Sequence, residues 1–122
     1  MAEQQPFADL LGVRVHDGEV RVTVTEQHLN TAGTVHGGLI VTLVDMAMGR
    51  TVREQLDDDQ GAATLQLSLT YLNPAKVGDE LVARAEVGKK GATVVLLSAE
   101  VVTADGDDIA EAVGTFTVTT SD

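Results

Sequence analysis

The stretch Asn30-Thr31-Ala32-Gly33-Thr34-Val35-His36-Gly37-Gly38, with Asp45 seven positions further on, is where residue types and spacing could do chemistry. Two adjacent glycines opening a helix are costly, since each loses roughly 1 kcal/mol against alanine in a helix interior. The first turn of a helix carries unpaired N–H groups and the positive end of the helix dipole, and glycine lets a ligand oxygen come close to that backbone. Such a turn could polarise a carbonyl as an oxyanion hole. A tight loop that needs positive φ at Gly37 would leave the same residues. Asp45 is a lone carboxylate on an otherwise apolar segment. It is paired, solvated through a cleft, or placed as a base; a solvent-facing side chain or a bond into the helix groove are the plain alternatives. Nine residues of helix span ~13 Å, so His36 and Asp45 of one chain cannot touch one reacting atom. If both serve one site, the Asp of one subunit must meet the Gly turn of another.

The elements that must position these residues follow from hydrophobic periodicity. Pro6-Phe7-Ala8-Asp9-Leu10-Leu11-Gly12 reads as one short helical turn closed by glycine. Alternating valines over 13–25, broken by Asp17-Gly18, read as a hairpin. Over 38–56, Ile40, Leu43, Val44, Ala47, Met48, Thr51 and Val52 recur at three and four, which predicts a long helix. Residues 64–71 alternate strictly, which predicts a strand with one buried face. Three more strands are expected over 81–87, 93–102 and 109–119, joined by Gly88-Lys89-Lys90-Gly91 and Asp105-Gly106-Asp107. Strands do not alternate with helices, so the class is α+β. The helix is apolar nearly all round and belongs inside a wrapping sheet. Residues 93–102 look too apolar for their second face to be exposed, and a second copy of the chain is the economical cover. A dimer at least is expected.

Composition narrows the function classes. The 122 residues suit a single domain over 1–122 with a core that needs no disulfide or metal staple. Cysteine is absent, which excludes thiol nucleophiles, zinc ribbons and Cys-ligated clusters. Nineteen Asp and Glu against eight Lys and Arg give a formal charge of -11, a field that repels nucleic acid and anionic membranes. Such a surface suits a salt-rich cytoplasm, and equally an ordinary acidic protein. The start of the sequence lacks a basic region followed by an apolar core, and no apolar run approaches the ~20 residues needed to span a bilayer. A soluble, cytoplasmic protein is expected. His16 and His28 read as structural or surface residues, and neither Ser68 nor Ser98 lies in a nucleophile-elbow turn. The three separated histidines make no zinc set, so neither metal nor other cofactor is implied.

The pattern Asn30-(x5)-His36-Gly37-Gly38-(x6)-Asp45 resembles the hotdog-fold acyl-CoA thioesterases of the phenylacetate-degradation (PaaI) type and their animal acyl-CoA thioesterase relatives. Thr70-Tyr71-Leu72-Asn73-Pro74-Ala75-Lys76-Val77-Gly78-Asp79 and Gly88-Lys89-Lys90-Gly91 are also similar to that family. The resemblance implies one long central helix wrapped by an antiparallel sheet of five to six strands, and homodimers or homotetramers with active sites between subunits. It implies hydrolysis of an acyl- or aryl-CoA thioester to the free acid and coenzyme A. Gly37 N–H would hold the thioester carbonyl with help from Asn30. Asp45 of the facing subunit would be base or nucleophile, and Thr64 would position the attacking water. His36 would stand at the active-site turn near the leaving sulfur. Gly38 would line the substrate site, and Lys89 and Lys90 would meet coenzyme A phosphates, unless they are simply a charged hairpin turn. Ala47, Met48 and Gly49 are candidate acyl-pocket residues. Hotdog hydratases or dehydratases, which pair a His with a carboxylate, and non-catalytic acyl-CoA-binding modules are the alternatives. No His follows Asp45, and the carboxylate is present.

Overall fold

The computed structural model describes residues 5–120. In order, the elements are α1 (Pro6–Leu11), β1 (Arg14–His16), β2 (Glu19–Thr23), a 3-10 turn at Glu26–His28, α2 (Gly37–Arg53), β3 (Gln60–Tyr71), β4 (Glu80–Lys90), β5 (Val94–Thr103) and β6 (Asp108–Thr120). The six strands form one antiparallel sheet in the order β1-β2-β4-β5-β6-β3. The chain is α+β, and the single long helix against an antiparallel sheet is the hotdog arrangement that the resemblance implies. No helix among the described residues is long and apolar enough to cross a membrane.

Helix α2 forms because its apolar residues fall on one wide face. Leu39, Ile40, Leu43, Val44, Ala47, Met48, Gly49 and Val52 are buried. Each large side chain in that set contributes about 1.5–3 kcal/mol by leaving water. Gly114 on β6 makes room for the helix: a Cβ there would stand 2.8 Å from Met48 Sδ and from Leu67 Cδ2. The helix is not enclosed all round as expected. Gly38 is exposed, and Val41, Thr42, Asp45, Met46 and Arg50 are only half-buried, so one stripe stays open. The helix also ends at Arg53 rather than 56. Gln55 and Leu56 turn back to bond the carbonyls of Val52 and Arg53.

Two strand expectations need correction. The alternation over 64–71 does not give a buried face. Strand β3 begins at Gln60 and lies at the sheet edge, and its register against β6 shifts between Thr64 and Gln66. The bulge takes Leu65 out of the ladder and breaks the phase of the alternation, so Leu65 is 57% exposed while Leu67 and Leu69 are half-buried. Likewise, Gly88-Lys89-Lys90 is no turn: it extends β4 with a second bulge between Val87 and Lys89, and the chain reverses over 91–93. Strand β5 buries Val95, Leu97, Ala99 and Val101, and turns Val94, Leu96 and Glu100 outward. Its outer face is therefore apolar only at its start.

Candidate active site

The loop before α2 is built on Asn30. Its Oδ1 accepts the N–H groups of Ala32 and Thr34 at 2.9 and 3.2 Å, and its Nδ2 donates to Thr34 Oγ1 at 3.1 Å. The positive φ that the loop needs belongs to Gly33, at +83°, and not to Gly37. His36 is the N-cap of α2: its Nδ1 accepts Gly38 N–H at 2.9 Å. A neutral His36 therefore carries its proton on Nε2. Gly38 N–H is used by the cap, whereas Gly37 N–H has no partner among the described residues.

Gly37 is glycine because of Tyr71. The Tyr71 hydroxyl donates to Gly37 O at 2.9 Å, and a Cβ at position 37 would stand 2.6 Å from that hydroxyl oxygen. The result is an uncapped helical N–H beside a cleft of about 390 Å³ lined by Thr34, Val35, Gly37, Ile40, Tyr71 and Pro74.

The second cluster lies further along α2. Thr64 Oγ1 donates to Asp45 Oδ1 at 2.5 Å, a short charge-assisted bond from the residue that precedes the β3 bulge. Asp45 Oδ2 accepts no hydrogen bond among the described residues. The pair opens into a cleft of about 550 Å³ walled by Pro6, Phe7, Val41, Met46 and Leu67. Ala47, Met48 and Gly49, expected to shape an acyl pocket, point instead into the core, where all three are buried. A carboxylate held by one oxygen, with the other unpaired at an apolar cleft, can take a proton from water or attack a carbonyl itself.

Asp45 and Gly37 lie eight residues apart on one helix, roughly 12 Å, and line separate clefts. Lys89 and Lys90 are exposed at the end of β4 and line neither. Among the described residues no cluster of His, Asp and Glu could hold a metal. The sequence reading missed the part played by two residues, Tyr71 and Phe7, and read a third, His28, as structural or surface. Tyr71 abuts Gly37, and Phe7 walls the Asp45 cleft. His28 is buried, with Nδ1 accepting Thr25 N–H at 3.0 Å and Nε2 bonded to Leu11 O at 2.7 Å, so it ties the end of α1 to the site loop. The three aromatic residues of this chain, two Phe and one Tyr, are a usable signal, because two of the three stand at the clefts.

With this geometry, residues 32–110 match the thioesterase superfamily. The chain belongs to that superfamily. Mouse acyl-coenzyme A thioesterase 13 is 38% identical over 79 residues, which are 63% of this chain and 54% of the mouse protein. This thioesterase-superfamily chain spans about half the length of the first curated relatives that it matches. The BH2602 protein of Bacillus halodurans, solved with CoA, superposes with a TM-score of 0.87 at 32% identity, covering 95% of this chain and 80% of that one. The PaaI protein of the Escherichia coli phenylacetic acid degradation operon superposes with a TM-score of 0.87 at 26% identity, covering 96% and 86%.

Proposed function

We propose that this chain is an acyl-CoA thioesterase whose active site is completed by a second copy of itself. The observation that carries this reading is the Asp45–Thr64 bond at the mouth of an open apolar cleft. Thr64 fixes one carboxylate oxygen. The other takes a proton from water as the water oxygen attacks the thioester carbonyl, or attacks the carbonyl directly. The carbonyl oxygen becomes an oxyanion, the C–S bond then breaks, and the thiolate leaves and is protonated; where Asp45 itself attacks, the acyl group is left on it as a mixed anhydride, which water hydrolyses to the free acid and the restored carboxylate. A positioned base contributes ~10²–10⁴-fold, and one preorganised N–H up to ~4 kcal/mol. The free N–H of Gly37 supplies that donor. Asn30 acts by holding the loop, and His36 by capping the helix while its Nε2–H stays available to the leaving sulfur. Lys89 and Lys90, two of only three lysines in the chain, meet coenzyme phosphates.

The second copy follows from the ~12 Å that separates Gly37 from Asp45. A 12-residue edge strand, β3, offers the surface: among the described residues no strand pairs with its outer side, which can take a second β3, and Leu65 stands exposed on it. Pairing along that edge gives a dimer and brings the Asp45 of one copy towards the Gly37 turn of the other. Such a protein takes acyl-CoA as substrate, needs no metal and works in the cytoplasm.

The test is a thiol-release assay over a panel of acyl- and aryl-CoA esters with wild-type and Asp45→Asn protein. The variant keeps the shape and the bond to Thr64 but loses the charge. Its kcat should fall at least ~10²-fold with substrate binding retained. A rate near wild-type overturns the assignment of Asp45, and a fully active monomer overturns the shared site.

A further inference from the structure

Cations are scarce in this chain, and the structure spends them unevenly. Arg14, Arg21 and Arg84 are all held by two carboxylates, Glu19 and Glu80. Arg50 and Arg53 make no ion pair among the described residues, although carboxylates outnumber cations by more than two to one. Among the described residues the Nε of Arg50, like that of Arg21, is buried without a hydrogen-bond partner. The negative end of the α2 dipole favours cations in this turn, but it does not account for a guanidinium left short of an acceptor.

Both arginines follow Met46 at helical spacings of four and seven, so they share one stripe of α2. They line a cleft of about 580 Å³ together with Arg14, so that three guanidinium groups face two carboxylates, Asp9 and Glu54, and Val13 and Val15 supply apolar wall. That cleft adjoins the one that holds Asp45, and Gln5, Ala8 and Met46 border both. Along the helix Arg50 and Arg53 stand roughly 7.5 and 12 Å beyond Asp45. A thioester whose carbonyl is at Asp45 could lay its acyl chain past Met46 and set the far end among the guanidinium groups.

We infer that the Arg50–Arg53 cleft binds an anionic group of the thioester substrate. Guanidinium recognises a carboxylate and a phosphate by the same paired N–H geometry. The group is therefore either a carboxylate that ends the acyl chain or a phosphate of the coenzyme. The distance favours the acyl carboxylate, because the coenzyme phosphates lie a whole pantetheine arm from the sulfur. This inference rests on the thioesterase reading, with the acyl group lodged in the Asp45 cleft.

The experiment compares adipoyl-CoA with hexanoyl-CoA on wild-type, Arg50→Gln and Arg53→Gln protein, each checked for an unchanged melting temperature. The expected result is a KM for adipoyl-CoA raised at least tenfold in either variant, with hexanoyl-CoA unaffected. A rise for both substrates that disappears with their 3′-dephospho-coenzyme A esters assigns the site to the phosphate instead and sustains it. Unchanged KM values, or a rise that ignores both charges, overturn the site. If the wild-type protein hydrolyses neither these two esters nor any other of the acyl- and aryl-CoA panel, the thioesterase reading fails by itself. Calorimetric titration of wild-type and Arg50→Gln protein with adipoyl-CoA then still decides the anion site: weaker binding by the variant sustains it, and equal binding or none overturns it. Should one variant misfold, the other carries the test.

Discussion

Replacing Gly37 by alanine separates the two reasons a glycine could stand there. The backbone at 37 does not need a left-handed conformation, so alanine is not excluded by φ. What it meets is Tyr71: the new Cβ would lie 2.6 Å from the hydroxyl oxygen and 3.0 Å from Cζ, where ordinary contacts begin near 3.4 Å. The ring must retreat by about 0.8 Å at its hydroxyl, and its 2.9 Å bond to Gly37 O is lost or strained. Tyr71 is 53% exposed, so it can swing away. A lost hydrogen bond costs about 0.5–1.5 kcal/mol, and alanine in place of glycine returns up to ~1 kcal/mol. Stability should therefore move by no more than ~1.5 kcal/mol, a change in Tm of less than about 12 °C. The rate should respond more strongly, because the displaced ring and helix turn shift the N–H that we propose holds the thioester carbonyl. Gly37→Ala is expected to lower kcat/KM at least tenfold in the thiol-release assay. Alanine keeps the N–H, so Gly37→Ala combined with Tyr71→Ala should recover most of that loss. Wild-type activity in the single variant would refute the oxyanion role of this turn. A double variant as slow as the single would refute the clash as its cause.

Two other perturbations test the framework that holds the site. Truncating His28 to alanine leaves Leu11 O and Thr25 N–H without their partner, which should cost about 1–3 kcal/mol and speed hydrogen exchange in α1; unchanged protection over 6–12 would count against the tie. The Glu19 carboxyl is held below its usual value by its hydrogen bonds to Arg84 and then Arg21. Its folded pKa is depressed, so its stabilising contribution is complete above the unfolded pKa, near 4.5, and is lost as pH falls through the folded one. Glu19→Gln should therefore lie below wild-type in Tm at neutral pH, and the two curves should converge in acid; parallel curves would contradict the linkage. The pair lies near the surface, so molar salt should shrink the difference.

How much of this was legible in the sequence depends on the range of the interaction. Helix α2, the hairpin and the run of later strands come from periodicities within one element, and these were readable to within a few residues. The bulge at Leu65 was not, because nothing in an alternating run marks where the partner strand will supply one residue fewer. The open stripe on α2 was hidden for a related reason: Val41 and Met46 are as apolar as their neighbours, and only the sheet decides which side they face. At the candidate site, residue type and spacing pointed to the glycine turn and Asp45. Their supports were harder to see. Thr64 entered only through family resemblance, and Tyr71 only as part of a strand end. The bonds that matter join residues 19 and 34 positions apart, which no local pattern specifies.

Both of those supports come from one strand. Tyr71 meets Gly37 near the start of α2 and Thr64 meets Asp45 near its middle, so β3 runs back alongside the helix and sets both clusters. Seven residues of extended strand cover roughly 23 Å, against roughly 12 Å for the eight residues of helix between the two partners. The strand therefore outruns the helix between the two contacts, which are made by the long Tyr71 side chain at one end and the short Thr64 at the other. The same strand is one of the two edges of the sheet, and by far the longer. In the proposed dimer, a second chain pairing along β3 would be ordered by the element that places both the carboxylate and the amide donor. Assembly and active-site geometry are then one structural problem. A bulge that cuts the alternation in β3 is tolerable for the core, because only Leu67 and Leu69 of that stretch pack against it. It also ends the regular ladder next to Thr64, the residue whose hydroxyl fixes Asp45.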